Sequence, residues 1–117
     1  MKNQNSTRYF SSKQEEHVAE LLGGRTNSSS GSSAFNKGDV IVKDASLLVE
    51  CKTSMTDKTS YSIKKEVLEK SRTEAKSMRL LNNALCFNFG PDQPNFYVID
   101  ETLFSILVSS LKENYKD

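Results

Sequence analysis

At 117 residues, with 36% apolar residues and a formal net charge of +1, the chain has room for one domain with a single core and none for two. It has no apolar run of about 18 residues, and Met1 to Arg8 is polar instead of a basic stretch followed by an apolar one, so a soluble, cytoplasmic protein without a membrane segment is expected. A single histidine, His17, excludes multi-histidine zinc chemistry; Cys51 and Cys86 lie in apolar runs with no close Cys or His and read as reduced, packed thiols.

The charge is unevenly spread. Residues 1–51, 52–90 and 91–117 carry 0, +4 and −3, so the middle third is the electropositive part. Residues 1–11 are polar and aperiodic and read as a flexible N-terminal arm, leaving 12–117 as a single domain. Ser12-Lys13-Gln14-Glu15 reads as a capping box opening a helix over 13–22, with Val18, Leu21 and Leu22 as its apolar stripe and Gly23-Gly24 as its stop. The Ser-rich stretch 25–38 reads as a mobile loop, with space for a further strand at 33–37.

Val40 to Lys43 and Leu47 to Lys52 are two strands of a hairpin turning at Asp44-Ala45-Ser46. Ile41 and Leu48 share one face; Val40, Val42, Leu47, Val49 and Cys51 share the other, the pattern of a sheet covered by helices on both sides. A long helix is expected over 62–81, with Ile63, Val67, Ala75, Met78 and Leu81 along its apolar face and Asn82-Asn83 ending it. Strands over 84–89 and 95–99 follow, around the turn 90–94. A helix over 101–112, capped by Asp100, closes the chain. The predicted order is α-β-β-α-β-β-α, an α/β fold with a helix-flanked sheet.

Four charged residues fall where burial would not place them. A two- or four-residue hairpin loop pairs residues whose numbers sum to 89, which sets Asp39 opposite Glu50. Directly opposed side chains lie roughly 4.5–5.5 Å apart at Cβ, and like charges there repel unless a cation lies between them. Alternation puts Lys52 on the face of Glu50 and turns Cys51 away. Glu15, three and seven residues before Val18 and Leu22, shares their helix face and is a candidate third oxygen ligand, with Glu16 the substitute if the helix is rotated by one residue. A ligand set of carboxylates alone favours Mg²⁺ or Mn²⁺ over zinc. On the long helix Lys65, Glu69, Arg72, Lys76 and Arg79 recur at spacings of 4, 3, 4 and 3, a mostly basic stripe able to follow a DNA backbone.

Lys37-Gly38-Asp39 followed by Leu48-Val49-Glu50-Cys51-Lys52-Thr53 resembles the catalytic core of the PD-(D/E)xK nuclease superfamily. With Gln14-Glu15, Arg25 and Ser30-Gly31, it is most like archaeal-type Holliday junction resolvases and small phage-encoded endonucleases, over residues 13–80. Gly38 stands where many members have proline. The resemblance implies a restriction-endonuclease-like mixed sheet and a metal-dependent DNA endonuclease acting on branched or junction DNA as a homodimer. Glu15, Asp39 and Glu50 become metal ligands, Lys52 the lysine that positions the attacking water, and Arg25 and Ser30 substrate contacts. The broad apolar surface of the last helix, from Leu103 to Leu111, could supply the dimer contact. Two other readings use the same residues: a non-cleaving nucleic-acid-binding module of this fold, and a nicking or repair-type nuclease without junction preference. A pure binder has no use for two opposed carboxylates beside a phosphate.

Overall fold

The computed structural model describes residues 7–26 and 38–116. Over the described residues the chain is an α/β unit with three helices and a five-stranded mixed sheet: α1 (Thr7–Leu22), β1 (Arg25–Thr26), β2 (Asp39–Val42), β3 (Leu47–Cys51), α2 (Lys65–Ser77), β4 (Asn82–Phe87), β5 (Phe96–Val98) and α3 (Glu101–Asn114). The strands lie side by side in sequence order. Every neighbouring pair is antiparallel except β3 and β4, which α2 joins as a parallel pair.

The β2–β3 hairpin has the expected register, Asp39 with Glu50 through Val42 with Leu47. Its four-residue connection makes one 3₁₀ turn at Lys43–Ala45, then reverses through Ser46 in the left-handed region at φ 50°. Alternation along these strands creates two cores. Val40, Val42, Val49 and Cys51 pack with Ala84 and Cys86 under Val18 and Ala19 of α1; Ile41 and Leu48 pack under Ala75 of α2 with Met78 and Leu80.

The helices depart from the expected limits. α1 starts at Thr7, so Ser12 lies inside it and caps nothing, and part of the expected arm is helical. Packing supplies the extra turn: half-buried Phe10 stands four residues before buried Gln14, itself four before buried Val18. The buried face therefore runs through Gln14, Val18 and Ala19, while Leu21 is 63% exposed and Leu22 lies at the exposed margin. At the other end Gly23 turns out with φ +72° and the Gly24 N–H donates to the Ala19 carbonyl at 2.8 Å, a Schellman closure. Gly24 also passes close to β2, where an added Cβ would stand 2.6 Å from the Ile41 carbonyl oxygen.

α2 is shorter than expected. It ends at Ser77, and Arg79 takes a left-handed backbone (φ 60°) so that the Leu80 N–H can reach the Ala75 carbonyl at 2.8 Å. Asn82 and Asn83 belong to β4 and stop no helix; the Asn82 N–H donates to the Ser46 carbonyl at the start of that strand. The buried face of α2 is Ser71 and Ala75 with half-buried Val67, Leu68, Glu74 and Met78, whereas Ile63 and Leu81 are exposed. Asp100 caps α3 as expected, accepting from the Leu103 N–H at 2.8 Å. None of the residues of α3 is buried, and Phe104, Ile106, Leu107 and Leu111 are exposed. Among the described residues no helix is long and apolar enough to cross a membrane.

Candidate metal centre

Asp39 opens β2 and is 2% exposed. The chain enters it through Gly38, whose φ of +96° suits glycine and is out of reach for proline, fixed near −65°. The Gly38 carbonyl accepts from the Cys51 N–H at 2.8 Å, extending the hairpin ladder past Asp39 and holding the carboxylate against β3.

By alternation Asp39 and Glu50 stand on the face of Ile41 and Leu48, the face that α2 covers. There a third carboxylate joins them. One oxygen from each of Asp39, Glu50 and Glu74 lies within 4.8 Å of the other two. Lys52 completes the group with its Nζ 3.2 Å from Glu50 Oε2, its side chain half exposed while that of Glu50 is 17% exposed. A carboxylate trio with one adjacent cation offers a hard divalent ion an all-oxygen donor set and leaves a positive charge at the rim.

Lys52 is held from behind. Gln14 Nε2 donates to the Lys52 carbonyl at 2.8 Å, and the Lys52 N–H donates to the Cys86 carbonyl, continuing the β3–β4 ladder. The next residues are fastened to Asn88, whose Oδ1 accepts from Thr53 Oγ1 and from the Ser54 and Gly90 N–H groups. A cavity of about 380 Å³ opens on the α1 side, between Phe10, Gln14, Thr53, Asn88 and Asn95; Asp39, Glu50 and Glu74 do not line it.

The other expected residues are distributed as follows. Glu15 is half-buried on α1, which packs on the opposite face of the sheet, and it stands outside the Asp39–Glu50–Glu74 group; Glu16 is exposed. The charges of Glu15 and Asp39 help to raise the Cys51 thiol pKa, after its hydrogen bond with Cys86 and its burial. Cys51 itself is buried on the α1 side, as alternation requires. Arg25 is exposed on β1, paired with Ile41 and so on the face of Asp39. On α2, Lys65 approaches Glu69 at 3.9 Å and Arg72 is bound to Asp100 at 2.8 Å; Lys76 is exposed, and Arg79 lies past the helix end. Ser30 lies outside the described residues.

Glu74 is the site residue that sequence reasoning missed. A signal was present: it sits seven residues after Val67 and four before Met78, on the inward stripe of α2, where a carboxylate needs a reason. Tyr61 is half-buried, and burial raises its phenol pKa, Lys52 opposing the shift and Glu50 reinforcing it. Comparison with protein-family models, curated proteins and solved structures returns no match.

Proposed function

We propose that the chain is a metal-dependent DNA endonuclease of restriction-endonuclease-like fold that hydrolyses phosphodiester bonds and favours branched DNA in the manner of a Holliday junction resolvase. The observation that carries this reading is the meeting of Asp39, Glu50 and Glu74 within 4.8 Å, with Lys52 3.2 Å from Glu50. The donor set fits Mg²⁺ or Mn²⁺, since all three groups are carboxylates and the nearby thiol of Cys51 faces away. When bound, such an ion lowers the pKa of a water and neutralises charge on the phosphate. Lys52, fixed through its backbone by Gln14 and Cys86, presents its ammonium at the solvent edge, where it can hold the phosphate and orient the attacking water. Arg25, on the same face, and Lys76 are available to contact the backbone of the strand. Glu15 remains a candidate for contact from the α1 side.

The exposed apolar surface of α3 suits a two-fold dimer, which would present two such sites to a junction. The test is incubation with linear duplex, flap, single-stranded and four-way DNA in Mg²⁺, Mn²⁺, Ca²⁺ or EDTA. Cutting in Mg²⁺ or Mn²⁺ that leaves 5′-phosphate ends and disappears in Asp39→Asn and Glu50→Gln is expected; full activity in EDTA overturns the reading. A monomer that binds duplex and junction equally keeps the nuclease and discards the resolvase.

A further inference from the structure

The row of side chains beyond the carboxylates is aromatic. Register pairs Glu50 with Leu85 and Cys51 with Cys86, so Lys52 falls beside Phe87, and Phe87 pairs with Phe96 on β5. Lys52, Phe87 and Phe96 therefore form one row on the same face as Asp39, Glu50 and Leu85. Tyr61 lies flat on Phe87, with ring centroids 4.4 Å apart and planes at 16°. Phe89 meets Phe87 edge-on at 5.5 Å and Phe96 at 5.8 Å, while Phe96 lies 5.9 Å from Phe87. The four rings fix one another, yet Phe96 is 50% exposed on the edge strand.

Resting on the nuclease reading, we propose that this cluster is a stacking platform for an unpaired base of the DNA strand held at the carboxylate site. Two strand spacings separate Phe96 from Lys52, about 10 Å. That is about three nucleotides of stacked strand at roughly 3.4 Å each, and fewer if the strand is drawn out. A base in an intact duplex keeps its ring faces inside the stack, so only an unpaired or splayed base can lie on Phe96. Two lysines stand by the cluster for the flanking phosphates: Lys52 lies in the row itself, and the Lys58 N–H is bound to the Phe89 carbonyl, next to Asp57, which accepts from Gln93 Nε2. The substrate class that follows is DNA with an unpaired nucleotide a few positions from the cleaved bond.

The test measures binding in EDTA, so it does not depend on cleavage. A short single strand carrying 2-aminopurine is titrated with the wild-type chain and with Phe96→Ala, Phe96→Leu and Phe96→Trp, beside a fully paired duplex. Stacking on one ring is worth about 1–3 kcal/mol, so loss of the ring should weaken single-strand binding about 5- to 150-fold and abolish the fluorescence quenching. Trp should restore both, and duplex binding should not change. Phe96→Leu keeps most of the apolar volume and guards against a folding defect in Phe96→Ala. Unchanged affinity and quenching in a folded Leu or Ala variant overturns the platform while leaving the nuclease intact. Failure of the wild-type chain to bind any of these DNAs in EDTA and equally in Ca²⁺ overturns both.

Discussion

Glu74→Gln separates a metal centre from a structural ion cluster. Two full charges 4.8 Å apart, the limit within which the three oxygens lie, repel by about 3 kcal/mol at an effective dielectric of 20 and by about 1 kcal/mol at that of water. Half-buried Glu74 falls between these limits. The isosteric amide removes two of the three pairwise repulsions, about 2–6 kcal/mol in sum, part of which the Lys52 ammonium already offsets in wild type, so we predict that the metal-free variant is more stable than wild type by about 1–3 kcal/mol. For a domain of this size that raises Tm by roughly 3–15 °C. Mn²⁺ should narrow this gap. Wild type gains about 2.7 kcal/mol when the free ion is at 100 times its Kd, whereas the variant, lacking one charged donor, gains less at the same concentration. Thermal unfolding of both proteins in EDTA and across a Mn²⁺ titration measures the two effects. A variant that melts lower in EDTA and shifts as much as wild type in Mn²⁺ would refute the metal reading and make the trio a structural network.

Lys52→Ala should slow cleavage by on the order of 10²-fold while leaving the Mn²⁺-dependent Tm shift intact, because the ammonium stands beside the carboxylates and is not one of the ligands; single-turnover kinetics and the melting titration check the two halves. Cys51→Val, on the α1 side of β3, should cleave at close to the wild-type rate and change stability by less than about 1.5 kcal/mol; a folded but inactive variant would show that this strand face matters to the site. Gly24→Ala, whose new Cβ meets the Ile41 carbonyl at 2.6 Å, should cost about 1–3 kcal/mol in urea unfolding. The raised pKa of Tyr61, caused first by burial, means that the folded state holds the phenolic proton more tightly than the unfolded chain does. Its contribution is complete below the ordinary phenol value near 10 and is lost as pH rises through the folded value. The urea midpoint of wild type should therefore fall more steeply above pH 10 than that of Tyr61→Phe; parallel curves would contradict this.

The hairpin was legible in the sequence because its determinants are local. A short loop fixes the pairing and a side-chain period of two fixes the faces, so Asp39 against Glu50, Lys52 beside them and Cys51 turned away all follow from residues 39–52. The Asp100 cap and the Gly23-Gly24 stop are local in the same sense. Which helix covers which face is not local. Glu15 and Glu74 each lie on an inward helical stripe, and only the docking of α1 on the Val40–Val49 side and of α2 on the Ile41–Leu48 side decides that Glu74 reaches Asp39 and Glu50. Helix limits followed packing as well: Phe10 carries α1 back past Ser12, and Arg79 ends α2 early by adopting a left-handed turn that no glycine marks. The aromatic row lies furthest from the sequence. It depends on the parallel pairing of β3 with β4, which sets Glu50 beside Leu85 across a crossover helix, and with no tight turn to fix that register, long-range packing alone determines it.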